Sequence, residues 1–269
     1  MKALIRWSTT LAIAGSILLG SALVSTPRAL ALTDEQVMQR LQSVPVFTLT
    51  RDEESLLLLS PDTEASENAA PTMTIFLSHE NAENFLRYLK ENDPENTEQA
   101  SILLLSLADV YQIAQESSTE GERLSLAFVP MEDQVQAART IIQQNGENAE
   151  EFQGVPVFYP VSAEDGSLLT RLQGEQEVIP MFLEQEQLQS WLGQIEQNQP
   201  ELVNNIKVEV GSLENLIRNL QASDQAELNQ IYIVPPQETV DFINESIQQG
   251  QQAPGQQAPA GGSPQQPAQ

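Results

Sequence analysis

Two spacings of apolar residues alternate along this chain, and the whole alternation occurs twice. Short apolar or period-two stretches predict strands. Stretches with apolar residues at i, i+3, i+4 and i+7 predict helices with one buried face. Val44-Pro45-Val46-Phe47 returns as Val155-Pro156-Val157-Phe158, and Phe76-Leu77 returns as Phe182-Leu183. Ala82, Phe85, Leu86 and Leu89 match Leu188, Trp191, Leu192 and Ile195 at helical spacing. Leu107, Val110, Tyr111 and Ala114 match Leu213, Leu216, Ile217 and Leu220, and Phe128-Val129-Pro130 returns as Ile233-Val234-Pro235. The shift between copies stays at about 105 to 111 residues. Solenoid repeats are far shorter, roughly 20–50 residues, so the repeating unit here is a domain-sized module.

Each module predicts the same order of elements. A Val-Pro-Val-Phe strand opens it, and a second strand follows at Leu56 to Leu59 or Leu168 to Leu172. Asp165-Gly166 between them in the second copy is a strong hairpin turn; Arg51-Asp52-Glu53-Glu54 is a weaker one. The third strand is Thr72 to Leu77 or Val178 to Leu183, and an amphipathic helix follows over His79 to Asn92 or Gln185 to Asn198. The fourth strand is Ser101 to Leu105 or Ile206 to Val210. In the latter, Lys207 and Glu209 alternate with apolar residues, which leaves one face wet. Ser106 and Ser212 then cap a second helix. A fifth strand, Leu124 to Val129 or Ile231 to Val234, runs into proline at a helix start, and a last helix carries Val135, Ala138 and Ile142 or Val240, Ile243 and Ile247. The fold class expected is α/β (α+β): two tandem pseudo-symmetric αβ modules with mixed sheets and amphipathic helices on them. Two linked sheets and one continuous sheet both satisfy the pattern.

The flanks read differently. Residues 1–31 have the form of an export signal. Lys2 and Arg6 come first, then an apolar run from Leu11 to Val24, then Ala29-Leu30-Ala31 as an A-x-A-type cleavage site. An uncleaved anchor is the rival reading. Residues 32–43 form a lead helix, with Thr33 and Gln36 as a capping box and Leu32 and Val37 as a hydrophobic staple. The modules occupy 44–146 and 147–249. Residues 250–269 are Gln, Pro, Ala and Gly with one Ser, a composition that cannot bury a core and reads as a disordered tail.

Charge narrows the partners. The chain has 38 Asp+Glu against 12 Lys+Arg. Lys2, Arg6 and Arg28 lie within the signal, which carries no acid, so nine bases remain against 38 acids afterwards. Such a surface repels nucleic acid and anionic lipid heads and keeps a protein soluble. Cysteine is absent, which removes thiol nucleophiles, Cys-metal sites and disulfides together.

Little in the chain predicts chemistry. His79 is the only histidine and is replaced by Gln185 in the second copy, which speaks against a Ser-His-Asp triad and a His-based metal site. Acidic runs (Asp52 to Glu54, Glu147 to Glu151, Glu184 to Glu186) lack calcium-loop spacing and read as solvated faces. Phosphate-loop motifs are missing. No catalytic residue, cofactor or metal is expected, and a glycosidase-type carboxylate pair stays open. Apolar surface is what remains. The Val-Pro-Val-Phe strands are expected at sheet edges or at strand starts, because proline removes a ladder donor. An edge with apolar neighbours accepts an extended polypeptide. Val46, Phe47, Met131, Phe158 and Met181 are the candidate polypeptide-binding residues, with methionine suited to promiscuous apolar contact. The competing reading places these side chains in an ordinary core.

The Val-Pro-Val-Phe openings, Leu124 to Ala138 (LSLAFVPMEDQVQAA), Val178 to Leu192 (VIPMFLEQEQLQSWL) and Ile231 to Pro235 (IYIVP) together resemble the Tic22-like family over about Leu32 to Gln249. That family comprises chloroplast import components of the intermembrane space and their cyanobacterial periplasmic relatives. The resemblance implies a pseudo-symmetric αβ protein with apolar surface pockets and no catalysis. It implies an escort of unfolded or precursor polypeptides across an aqueous gap, near an outer-membrane barrel-assembly machine or translocase. The alternative is a docking module of such a complex with no client of its own. The bacterial-type signal implies the cyanobacterial branch and the periplasm, with the thylakoid lumen as the alternative.

Overall fold

The computed structural model describes residues 32–52, 55–59, 70–119, 121, 123–222 and 226–248. The expected signal, the tail and most of the loop from Pro61 to Pro71 lie outside the described residues.

The lead helix α1 (Asp34–Leu41) starts as its capping box dictates. The Thr33 hydroxyl accepts from the Gln36 amide at 3.3 Å, and the Gln36 side chain accepts from the Thr33 amide at 3.0 Å. Leu32 and Val37 are both buried, as a staple requires.

The first copy then runs β1 (Pro45–Thr50), β2 (Leu58–Leu59), β3 (Thr72–Phe76), α2 (His79–Asn92), α3 (Pro94–Thr97), β4 (Ser101–Ser106), α4 (Leu107–Thr119), β5 (Ser125–Val129) and α5 (Glu132–Gln144). The second repeats the order as β6 (Pro156–Ser162), β7 (Arg171–Gln173), β8 (Gln176–Phe182), α6 (Gln185–Asn198), α7 (Pro200–Val203), β9 (Ile206–Ser212), α8 (Leu213–Ala222), β10 (Ile231–Val234) and α9 (Gln237–Gln248). The duplication predicted from the apolar spacing is present element by element. The short helices α3 and α7 were not expected. Each begins at a proline, Pro94 or Pro200, that follows the longer helix and turns the chain toward the next strand.

Among the described residues two five-stranded sheets form, and each is mixed. In the first, β1 lies between β4 and β3, all antiparallel, while β5 runs parallel to β3. In the second, β6 lies between β9 and β8, and β10 runs parallel to β8. The hairpin turn at Asp165-Gly166 is there: Gly166 has φ 72, and the Ser162 amide donates to the Ser167 carbonyl at 2.8 Å.

The edge placement expected for the Val-Pro-Val-Phe strands is corrected: β1 and β6 are interior strands. The strand-start placement holds, since Pro45 and Pro156 are the first residues of their strands. Proline is tolerated there for a visible reason. In β6, the backbone of residues 158, 160 and 162 faces away from β9, as the bond from the Leu169 amide to the Pro160 carbonyl (3.1 Å) and the bond from Ser162 show. Pro156 and Pro160 share that side, so neither owes β9 a donor.

Packing forms three layers of apolar contact. The inner faces of both sheets meet α1, α4 and α8 in one central core, which includes Val46, Ile75, Val110, Val157, Met181, Leu213 and Ile233. The outer face of the first sheet, with Phe47, Leu49 and Phe76, is covered by Phe85, Leu86 and Leu89 of α2 and by Phe242 of α9. The outer face of the second sheet, with Phe158 and Phe182, is covered by Leu188, Trp191 and Leu192 of α6 and by Ala138 and Ile141 of α5. The two copies have therefore exchanged their last helices. Only Pro130 and Met131 separate β5 from α5, and this short link carries the helix directly onto the other sheet.

Candidate functional site

Polar contacts at the helix exchange repeat the same logic on both sides. Buried Gln134 of α5 accepts from the Gln185 amide at 2.8 Å, which caps α6, and its side-chain amide donates to Glu186 Oε2 at 2.9 Å. On the other side, Thr239 of α9 donates to the Leu77 carbonyl at 2.6 Å, and Ser78, the N-cap of α2, donates to Glu238 Oε1 at 3.1 Å. Glu184 accepts from the Gln237 amide at 3.0 Å at the start of α9. Burial raises its carboxyl above the usual range. The Gln237 bond opposes this, and nearby Glu186, Glu238 and Asp133 add to it.

The five candidate binding residues do not form one groove. Val46 and Met181 lie in the central core, Phe47 in the outer cluster of the first sheet, and Phe158 in that of the second. Met131 is buried in the link between β5 and α5. Phe47 and Phe158 are 0% exposed, so an open groove on these side chains is corrected to core packing. The reason is the helix exchange, since each outer face is closed by a helix from the other half of the chain.

His79 is also absorbed by packing. Its ring stacks on Phe242 at 3.8 Å between centroids and meets Phe47 edge-on at 5.2 Å. Among the described residues, no group of three or more His, Asp or Glu is placed to hold a metal ion. A cleft of about 260 Å³ lies between α1 and α4 and is lined mostly by polar side chains, among them Glu35, Gln39, Asp109 and Gln112, with Met38.

Apolar surface appears elsewhere. Among the described residues the outer strands are β4 and β5 in the first sheet and β9 and β10 in the second, each paired on one side only. Ile102, Leu103, Leu104 and Leu105 of β4 are all half-buried. Ile102 and Leu104 pack under α2 and Leu105 packs on the central core, whereas Leu103 belongs to none of the three clusters. In β9 the same region carries Lys207 and Glu209, bonded to each other at 2.9 Å. Tyr159 lies opposite Glu209. Burial pushes its hydroxyl up to about 12, with Glu209 and Glu147 adding to the effect. Sequence spacing marked β9 as half wet but could not show that β4 was an outer strand. Large apolar side chains stand exposed at Tyr88, Leu172, Leu202 and Ile247. No helix among the described residues is long and apolar enough to cross a membrane.

This fold has known relatives. The chain is 24% identical to the chloroplastic TIC 22-like protein of Arabidopsis thaliana over 76% of its own length and 62% of that protein's, so it spans less than two thirds of that relative. It is 22% identical to chloroplastic TIC 22 of Pisum sativum, over 86% of this chain and 84% of that one. The solved structure of Anabaena Tic22, a protein of protein transport, superposes with a TM-score of 0.68 at 24% identity, covering 80% of this chain and 97% of that one. The Tic22-like family model matches residues 12–245, and the chain belongs to that family.

Proposed function

We propose that this protein escorts unfolded or precursor polypeptides through the periplasm, in protein translocation and outer-membrane biogenesis, and holds them by apolar surface. The thylakoid lumen is the alternative compartment, and a barrel-assembly or translocase component is the partner that receives the client. The observation that carries the reading is the half-buried outer strand Ile102 to Leu105, on which Leu103 lies outside the three apolar clusters, on a chain of formal net charge -26. An escort has to bind many sequences weakly, which favours apolar contact over hydrogen-bond readout of side chains. It also has to stay soluble with such surface exposed, and like charge serves that end. Family membership and the protein-transport role of the Anabaena relative support the same reading. No residue is assigned to catalysis, and no cofactor or metal is invoked.

The test is light scattering after dilution of a urea-unfolded outer-membrane barrel protein into buffer with and without the mature chain. Near-equimolar protein should suppress the scattering. Unchanged scattering, together with stable capture of one folded assembly subunit, would favour a docking module over an escort.

A further inference from the structure

The geometry points to the free edge of β4 as the place where the client is held: we propose that it takes an extended, apolar and basic polypeptide segment as an added antiparallel or parallel strand. This rests on the escort reading and specifies its site. The pairing register shows which groups are available. In β1 the backbone of Phe47, Leu49 and Arg51 faces β3 and the β2 hairpin, as the Phe47–Phe76 pair and the bonds Leu57 amide to Leu49 carbonyl (2.9 Å) and Arg51 amide to Ser55 carbonyl (2.8 Å) show. Val46, Thr48 and Thr50 therefore face β4, where their partners are Leu105, Leu103 and Ser101. The amides and carbonyls of Ile102 and Leu104 are left pointing outward, two donors and two acceptors at the spacing a strand needs, with no partner among the described residues.

The second copy closes the same edge in two ways. Asn145, at the end of α5, donates to the outward Val208 carbonyl at 3.0 Å. Lys207 and Glu209 add charges beside it, a common protection of exposed edges. Among the described residues neither device is present on β4. By register, Leu103 stands where Glu209 stands and Ser101 where Lys207 stands. Matching Val135, Ala138 and Ile142 to Val240, Ile243 and Ile247 puts Gly250, which has no side-chain amide, at the position of Asn145. Ile247 is 62% exposed whereas its counterpart Ile142 is 8% exposed, so α9 does not bury its end as α5 does.

Charge selects the occupant. Between Lys90 and Arg123 the sequence holds Glu91, Asp93, Glu95, Glu98, Asp109, Glu116, Glu120 and Glu122 and not one basic residue. This segment contains β4 and both its flanks. A second copy meeting edge to edge would bring two such acidic segments together, which costs free energy. An extended segment with alternating apolar and basic residues gains on both counts, through main-chain bonds and through charge.

The test uses the whole mature chain and a fluorescein-labelled peptide of about ten residues alternating valine and lysine, a length matched to an added strand, read by fluorescence anisotropy. The wild-type chain should bind it. Leu103→Lys, which removes the apolar contact and sets like charge against the peptide's lysines, should weaken binding about tenfold or more, equivalent to ~1.4 kcal/mol. A peptide of the same sequence with alternate amides N-methylated should bind the wild-type chain equally poorly, because charge is kept and strand pairing is lost. That comparison needs no variant and decides the matter if Leu103→Lys fails to fold. Equal binding of the N-methylated peptide, or undiminished binding by a folded Leu103→Lys, overturns the edge site. No binding of the peptide by the wild-type chain overturns it too. In each case suppression of scattering by the wild-type chain shows separately whether the escort reading stands. A wild-type dimer in sedimentation that Leu103→Lys splits would give the edge to a second copy and overturn the client proposal.

Discussion

Phe242→Ala tests the helix exchange, because Phe242 is in the second copy by sequence and in the first by packing. Its ring stacks on His79 at 3.8 Å and meets Phe47 edge-on at 5.7 Å, on the outer face of the first sheet. A fully buried Phe→Ala change costs about 3–5 kcal/mol. Phe242 is half-buried, so roughly half of that, about 2 kcal/mol, is expected. For a protein of this size each kcal/mol lowers Tm by about 2–4 °C, giving a fall of about 4–8 °C. Location is the sharper readout. Amide hydrogen exchange should rise in α9, at the start of α2 and along β1, and should be unchanged in α6 and β9. Faster exchange in α6 and β9 with α2 unaffected would refute the exchange of helices.

Three further outcomes follow from the same packing. Phe158→Glu places a charge at a position 0% exposed between the second sheet and α6, and urea unfolding should show loss of most of the stability rather than a folded variant with weaker client binding. Gln134→Ala leaves the Gln185 amide without its acceptor and should cost about 1–3 kcal/mol in chemical unfolding, with faster exchange at the first turn of α6. Glu184→Gln should raise Tm by about 1–2 °C at pH 7, a small figure because the group is partly exposed. The native carboxyl titrates above its unfolded value, so its ionisation weakens the fold as pH rises through the native pKa, and protonation restores stability as pH falls. The advantage of the glutamine variant should therefore vanish in calorimetry below the unfolded carboxylate range, and an advantage that persists in acid would contradict this assignment.

The local elements were legible because their causes are local. Thr33 and Gln36 form their capping box, Asp165-Gly166 makes its turn, and α2 and α6 occupy the predicted residues. The duplication was legible because each copy repeats the same apolar positions. The placement of β1 was not, since a missing proline donor fits a strand start as well as an edge. Two-residue periodicity places Val46 and Phe47 on opposite faces but says nothing of what covers each face. Covering is decided by where α5 and α9 go after their two-residue links, a tertiary choice with no signature in the apolar spacing. The free edge of β4 was hidden for the same reason. Ser-Ile-Leu-Leu-Leu-Ser reads as a buried strand until the sheet order shows that nothing among the described residues pairs beyond it.

The escort reading requires that this chain hold many non-native polypeptides. In-cell crosslinking of the mature protein followed by mass spectrometry of the captured partners tests it most directly. Many unfolded or precursor outer-membrane proteins, with crosslinks centred on Ile102 to Leu105, are the predicted result. Capture of a single folded assembly subunit, or of nothing, would contradict it.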